Sequence, residues 1–358
     1  MKYWRGYLVA AIIAACTWGL QSFSQAHSKL VDLVYPYVTR MMQGHLAQWS
    51  SGVSFSVWQA LLYCGIVMVL ALVVVMLVRH WNPVRVTGWI LTVVSLISFL
   101  DTVLYGLNAY AGSLAEDLRM ETADYSCSAE EMEKAAAYYL DCANKLASQV
   151  ERNGSDLKAG DFDQLAAQAG NGFDYLVYEK GYSVFAGSKL PVKQMTGAGK
   201  GVTGQFVALT GEATVNPDQP MTSLPFAMCR EMAHRMCIAI DRDADFAAFL
   251  ACTANDSPAF RYAGYVMAYR TCCDALERSG NMRALSRVTA GESDLLRRDL
   301  QAHGDFFGSQ QEVDEALGEL LGCWYVETQV LPTIEEEEVR FDPTDKTQVD
   351  LSGIVNAR

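Results

Sequence analysis

The sequence is poor in basic residues and in histidine, and its cysteines lack the spacing of a disulfide scaffold. It holds 28 Lys and Arg against 41 Asp and Glu, which gives a net charge of −13, and only five histidines. A surface this acidic repels phosphate backbones, so nucleic-acid binding is excluded as a function. Among ten cysteines no CxxC pair occurs, and we therefore expect most thiols to be buried as small apolar side chains.

Long apolar runs are what the sequence has instead, and they lie at its amino-terminal end. Residues 1–110 carry six basic and two acidic residues, a balance of +4, which leaves −17 for residues 111–358. Three runs are long enough to cross a hydrocarbon core of about 30 Å, at about residues 7–23, 60–78 and 87–107. The sequence therefore predicts a membrane region, an extramembrane domain and an acidic polar tail, at residues 1–110, 111–330 and 331–358.

The charges around these runs predict their orientation. The turn between the second and third runs contains Arg79 and Arg85, and basic turns stay in the cytoplasm. Three spans then place the extramembrane domain outside the cytoplasm, preceded by an extracytoplasmic loop at 27–56 whose short helices lie against the bilayer. The alternative for residues 27–56 is a plain linker. We interpret residues 1–26 as an uncleaved first span; the alternative is a signal peptide cleaved near Ala26.

Helix signals dominate the extramembrane domain. Ser128 and Glu131 form a capping box, and Pro258 follows a serine at the start of another helical pattern. The residues between the early and late helices are richer in Gly, Pro and Thr and contain β-like pieces. The expected helices cover about residues 128–150, 162–169, 258–278 and 292–327, and the expected strand region includes residues 204–210.

The centre of the chain holds a near match to a zinc-peptidase motif. HExxH places two histidines four residues apart on one helix face to hold zinc, and its glutamate polarises the attacking water. Here residues 230–234 read REMAH, so Glu231 is the candidate general base and His234 a candidate ligand. Candidate carboxylate ligands follow at Asp241, Asp243 and Asp245.

Arg230 replaces the first ligand histidine and changes the chemistry of the site. A guanidinium stays protonated and has no lone pair for zinc, so zinc binding should weaken severely. We expect Arg230 to pair with Glu231, Asp241 or Asp243 and to replace the metal as the local cation. The alternative is an unusual metal site that recruits Cys237 beside His234 and Asp241. On its own, the remaining E-x-x-H pattern is common in ordinary helices.

A wider set of residues resembles an uncharacterised bacterial family of three-span membrane proteins, whose soluble part carries an HExxH motif and is regarded as zinc-metallopeptidase-like. The similar runs are residues 33–37, 105–110, 210–216, 224–249 and 260–265. The resemblance implies a mainly α-helical architecture, in which three transmembrane helices precede a zincin-like domain with a short-strand region.

The family pattern HExxHxxGxAxExxANF, laid on Arg230, implies functional positions beyond the motif itself. Its later glutamate falls on Asp241, which the resemblance makes the third ligand, with Asp243 as an alternative. Its glycine falls on Cys237, a position suited to positive φ, and its asparagine falls on Asp245. Each of these positions departs from the pattern, as Arg230 does.

The sequence therefore predicts a metallopeptidase-like protein of the bacterial cytoplasmic membrane that has lost hydrolytic activity. We expect no cofactor, contacts with membrane lipid, and a polypeptide or cell-envelope component as partner. One alternative is an active zinc-dependent peptidase with Glu231 as base and His234 and Asp241 as ligands. Another alternative is a purely structural membrane protein.

Overall fold

The computed structural model describes residues 4–121, 126–158, 160–308 and 315–332. Within them the chain is mainly helical, with a few short strands, which confirms the predicted class. The amino-terminal helices are α1 (Arg5–Ala26), α2 (Ser28–Ser50), α3 (Val57–Val78) and α4 (Pro83–Leu104), followed by a 3₁₀ turn at Gly106–Tyr110.

Three of these helices, α1, α3 and α4, are long and apolar enough to cross a membrane. The predicted spans are confirmed as helices of this kind, but the third begins and ends earlier than residues 87–107. Its start is set by Asn82, whose side chain accepts a hydrogen bond from the Val84 amide at 3.0 Å, and by Pro83 in the first turn. Proline is favoured there because that turn needs no N–H donor.

The apolar helices α1 and α4 pack closely against each other. A Cβ on Gly6 would lie 2.5 Å from the carbonyl carbon of Gly88, so the two backbones meet where glycine faces glycine. Thr92 Oγ1 donates a 2.8 Å hydrogen bond to the carbonyl of Gly6. In contrast, α3 has no buried residue along its length. The described part of the chain therefore leaves the surface of α3 for lipid or a partner.

The expected loop of short helices at residues 27–56 is wrong, because most of it is the single helix α2. Proline 36 lies inside α2 without ending it. Side-chain contacts fix the helix instead: Gln43 Nε2 donates to the carbonyls of Leu104 and Ala208, each at 3.1 Å. Tyr35 donates to the Val103 carbonyl at 2.7 Å. These long-range contacts have no local sequence signal.

The helical domain, residues 114–332, follows the 3₁₀ turn. Its elements are α5 (Leu114–Asp117), α6 (Ala129–Ala147), β1 (Arg152–Asn153), β2 (Asp156–Leu157), α7 (Phe162–Gln168), α8 (Gly170–Tyr178), β3 (Lys193–Gln194), β4 (Gly204–Val207), β5 (Glu212–Val215), α9 (Leu224–Arg235), α10 (Asp241–Thr253), α11 (Pro258–Arg278), α12 (Met282–Thr289), α13 (Asp294–Phe307) and α14 (Glu315–Tyr325), with a 3₁₀ turn at Ser183–Phe185 and a π turn at Val326–Val330.

Several predicted helix boundaries are confirmed by their caps. The capping box of α6 is present: the Ser128 side chain accepts from the Glu131 amide, and Glu131 accepts from the Ser128 amide at 2.9 Å. Helix α11 begins at Pro258, as predicted. The single helix expected at 292–327 is wrong, because α13 ends at Phe307 and the next residue, Gly308, has a φ of 60°. Of the predicted tail, residues 333–358 lie outside the described residues.

The core of the helical domain lies around α6, α9, α10 and α11. Tyr139 of α6 is fully buried and donates to the Leu321 carbonyl of α14 at 2.8 Å, which closes one side of the core. Helix α9 is buried along almost its whole length; only Arg230 is partly exposed within it. A helix this buried is positioned by packing on all sides. The candidate motif therefore sits on a rigid element.

A small sheet covers one side of α9. Its strand order is β3-β5-β4, with β5 parallel to β3 and antiparallel to β4. A Cβ on Gly204 of β4 would lie 2.7 Å from Glu231 Cγ and 2.8 Å from the Thr214 carbonyl oxygen. Only glycine lets β4 approach the motif helix this closely.

The sheet also holds the beginning of α3. Glu212 of β5 is buried and accepts hydrogen bonds from the amides of Val57 and Trp58 at 2.8 and 2.7 Å. Lys193 of β3 pairs with the same carboxylate at 2.7 Å. Burial raises the pKa of Glu212, but Lys193 and the two amides outweigh this and leave it lowered. A side chain of the helical domain thus caps an apolar helix.

Candidate functional site

The site lies where α9 turns into α10. Helix α9 ends with the Ile238 amide donating to the Ala233 carbonyl at 3.2 Å and the Cys237 amide donating to the His234 carbonyl at 2.9 Å. This pattern is a Schellman motif, which needs a residue of positive φ. Cys237 supplies it with a φ of 70°, at the position where the family resemblance has glycine. The tight turn brings the start of α10 back against Arg230.

Arg230 contacts three carboxylates with its three nitrogens. Its Nε donates to Asp245 Oδ1 at 2.8 Å, Nη1 to Glu231 Oε1 at 3.1 Å, and Nη2 to Asp241 Oδ1 at 2.7 Å. Burial lowers the pKa of Arg230, but Asp245, Glu231 and Asp241 together outweigh it and raise that pKa. The Arg230 guanidinium is therefore a permanent cation at the centre of an acidic cluster formed by Glu231, Asp241 and Asp245.

His234 points its Nε2 into the same cluster. Its Nδ1 lies 2.9 Å from the Ile238 carbonyl and 2.9 Å from the Tyr105 hydroxyl. A carbonyl only accepts, so Nδ1 donates to Ile238, while Nε2 lies 3.4 Å from Asp241 Oδ1 and donates to that carboxylate when the ring is protonated. Metal-binding histidines are commonly oriented in this way, with the second nitrogen bonded to a carbonyl.

Glu231 is the most enclosed carboxylate of the cluster. Its side chain is 1% exposed, and β4 passes over it at Gly204. Burial raises the pKa of Glu231, although His234 and Arg230 each lower it. A buried carboxylate with a raised pKa is a common feature of general bases and also of buried ion pairs.

The two aspartates of α10 differ in their surroundings. The hydrogen bond with His234 lowers the pKa of Asp241, and Arg230 lowers it further. Burial raises the pKa of Asp245, against the effect of Arg230. Asp241 lies at the open side of the cluster and Asp245 one helical turn further in, because residues four apart share a helix face.

The structure does not bring every predicted site residue to this cluster. Asp243 faces the other way, where it accepts from the Leu114 amide at 3.0 Å and pairs with Arg242 at 2.8 Å. Cys237 is buried on the side of α2, where Arg40 donates to the Met236 carbonyl at 3.1 Å. The predicted pairing of Arg230 with Asp241 and Glu231 is present.

Two residues of the site were missed by sequence reasoning as members of the network. The sequence marks Asp245 only as a candidate metal ligand, although its i+4 spacing from Asp241 places both on one face of α10. Tyr105 comes from the segment that follows α4 and had no signal beyond its place in a family-like run. Its hydroxyl joins the end of an apolar helix to His234.

The donor set decides what the cluster can hold. Glu231, Asp241 and Asp245 all contact Arg230, which has no lone pair to share with a metal. Among the described residues, no three His, Cys, Asp or Glu side chains are grouped to hold a metal ion. The side chains present therefore hold a guanidinium at the centre of the cluster.

The fold defines a mainly helical protein with three helices typical of membrane spans and an acidic cluster built around one arginine. The chain belongs to the family described as protein of unknown function DUF3810, whose profile matches residues 31–321. No curated protein and no solved structure matches the chain.

Proposed function

We propose that this protein is a metallopeptidase-like membrane protein that has lost catalysis and acts by binding a polypeptide or cell-envelope partner. The observation that carries the proposal is the triple pairing of Arg230 with Asp245, Glu231 and Asp241. A metal ion in a peptidase site is the cation that organises such carboxylates. Here a side chain has that role, so no metal-bound water is generated.

The orientation of His234 supports a metallopeptidase ancestry. Its Nδ1 is bonded to the Ile238 carbonyl and its Nε2 faces the carboxylate at the family's third-ligand position, Asp241. Only the residue at position 230 then separates the cluster from a ligand set of two histidines and a carboxylate. We read the site as a peptidase scaffold in which arginine has replaced zinc.

The edge of β4 supports a polypeptide as the partner. Within the described residues β4 pairs with β5 alone, and the Asn216 amide donates to the Thr203 carbonyl at 2.9 Å. Bonded pairs alternate along an antiparallel ladder, so the backbone groups of Gly204 and Phe206 point away from β5. An extended peptide can pair with such an edge, next to Glu231.

The proposed setting is the bacterial cytoplasmic membrane, with the helical domain outside the cytoplasm. It rests on Arg79 and Arg85, which lie on either side of the turn between α3 and α4, and on the tendency of such basic segments to stay inside.

Metal content and peptidase activity of the purified full-length protein test the proposal. We expect wild type to bind no stoichiometric zinc and to cleave no peptide. Arg230→His should gain zinc, because the new imidazole joins His234 and Asp241, whereas Arg287→His, at an exposed position of α12, should not. Stoichiometric zinc and peptide cleavage by wild type would instead establish an active, atypical zinc peptidase.

Peptide binding separates the proposed role from a purely structural one. Fluorescence anisotropy with a library of labelled extended peptides should detect binding to wild type. The matched variant is Gly204→Ala, whose Cβ pushes β4 away from Glu231 and should weaken that binding. No binding by any peptide in the library would leave the structural role as the better account.

A further inference from the structure

Helix α2 is amphipathic, but its apolar face is exposed and its polar face is buried, the opposite of a helix in a soluble protein. Its buried face carries small or polar side chains, among them Thr39, Gln43, Ala47 and Ser50. The opposite face carries large apolar side chains that are more than half exposed. We call this face the α2 stripe, and it consists of Leu30, Leu33, Val34, Tyr37 and Met41.

Helical geometry places these side chains on one continuous surface. At about 100° per residue, the α2 stripe lies within about 60° of the direction opposite Thr39. The charged side chains of α2, which are Lys29, Asp32 and Arg40, lie outside that arc. Asp32 accepts from the Gly112 amide at 2.9 Å, and Arg40 donates to the Met236 carbonyl. An uncharged apolar face of this kind is unfavourable in water.

The position of α2 relative to α4 indicates what covers the stripe. Tyr35, Thr39 and Gln43 touch the last turn of α4 and the residues after it, through Val103, Asn108 and Leu104. The buried face of α2 therefore crosses the end of an apolar helix. Only His27 separates α2 from α1. The stripe is thus continuous with helices that face lipid and lies at the height where α4 leaves the membrane.

We infer that α2 is an interfacial helix whose stripe lies in the acyl and headgroup boundary of a lipid bilayer, and that it holds the Arg230 cluster at the membrane surface. Apolar faces of interfacial helices enter this boundary by about 5–10 Å. The inference does not depend on whether the cluster is catalytic or which side of the membrane it faces.

Two contacts connect α2 and the end of α4 directly to the Arg230 cluster. Arg40 of α2 donates to the carbonyl of Met236, the residue at the end of α9. Tyr105, next to the last residue of α4, contacts His234 at 2.9 Å. Both links are direct, so the cluster cannot move far from the bilayer while α2 and α4 stay in it. A ligand of the site therefore binds close to the membrane surface.

Photo-crosslinking in lipid vesicles tests the inference. Full-length protein carrying benzoylphenylalanine at Met41 is reconstituted in phosphatidylethanolamine and phosphatidylglycerol, irradiated, and analysed for lipid adducts by mass spectrometry. Met68 of the apolar helix α3 and Met282 of the helical domain are matched controls, because all three methionines are more than half exposed. Leu33 is a second position on the stripe, in case one variant folds poorly.

We expect lipid adducts at Met41 and Leu33 at a level close to that at Met68 and about tenfold above that at Met282. Adducts no more frequent than at Met282 would overturn the inference. Crosslinked dimers without lipid adducts would also overturn it, because a second copy of the chain would then cover the stripe.

Discussion

Removing the positive charge of Arg230 should destabilise the protein in a strongly pH-dependent way. In Arg230→Met the buried Glu231 loses the cation that it contacts at 3.1 Å. Breaking a buried pair commonly costs about 3–5 kcal/mol. Glu231 can limit this cost by taking up a proton. The free energy of that protonation is therefore the most that the unpaired carboxylate can cost.

The bound follows from the ordinary pKa of glutamate, 4.5. Protonating such a group at pH 7 costs about 3.4 kcal/mol, and at pH 5 about 0.7 kcal/mol, because each pKa unit is about 1.4 kcal/mol. Asp245 adds less, because it is 24% exposed and keeps some hydration. We therefore expect Arg230→Met to lose about 3 kcal/mol at pH 7 and less than about 1 kcal/mol at pH 5.

The expected increase of this penalty with pH agrees with the direction of the pKa shift of Glu231. A carboxyl whose pKa is raised on folding stabilises the folded state most below its unfolded pKa, and this contribution is lost as pH rises. Losing Arg230 raises the pKa of Glu231 further, so the penalty must grow from pH 5 to pH 7.

Thermal unfolding in detergent, followed by circular dichroism, is the assay. A loss of about 3 kcal/mol lowers the midpoint by about 6–12 °C for a domain of this size. Arg287→Met is the matched control, because its pair with Glu133 is exposed. The double variant Arg230→Met, Glu231→Gln should recover much of the loss. A penalty at Arg230 equal to that at Arg287, or one that does not change with pH, would refute the reasoning.

Substitutions at three further positions test individual contacts by the same unfolding assay. Cys237→Gly should change stability by less than about 1 kcal/mol, whereas Cys237→Val should cost about 2 kcal/mol, because a β-branched residue is strained at positive φ; equal effects would contradict this. Gly204→Ala should cost about 1–3 kcal/mol through overpacking against Glu231, and an unchanged midpoint would show that β4 moves freely. Glu212→Gln should cost about 3 kcal/mol at pH 7. Because the pKa of Glu212 is lowered, the difference in stability between wild type and Glu212→Gln should shrink as pH drops below 4.5. A stability difference that stays constant with pH would contradict the Lys193 pairing.

Local signals in the sequence predicted much of the fold. The apolar runs gave three helices, Ser128 and Glu131 gave the start of α6, and Pro258 gave the start of α11. Each of these depends on residues within a few positions of one another. Helix α2 was missed because its contacts run to residues far along the chain, such as Ala208.

The sequence also predicted only part of the site, namely the pairings between residues close together in the chain. Pairing of Arg230 with Glu231 and Asp241 follows from charge and spacing and is present. The contact of Tyr105 with His234 joins residues 129 apart in sequence and could not be predicted from spacing. Which of the aspartates would face Arg230 depended on the turn at Cys237, whose shape only the structure gives.

The capping of α3 by Glu212 has a consequence for the order of assembly. The carboxylate and the Trp58 amide are 154 residues apart, and a chain is synthesised from its amino-terminal end. The first turn of α3 therefore reaches the membrane long before its partner exists, and its amides bond to water or headgroups meanwhile. Docking of the folded sheet onto this helix is a late step, which joins the maturation of the helical domain to that of the membrane region.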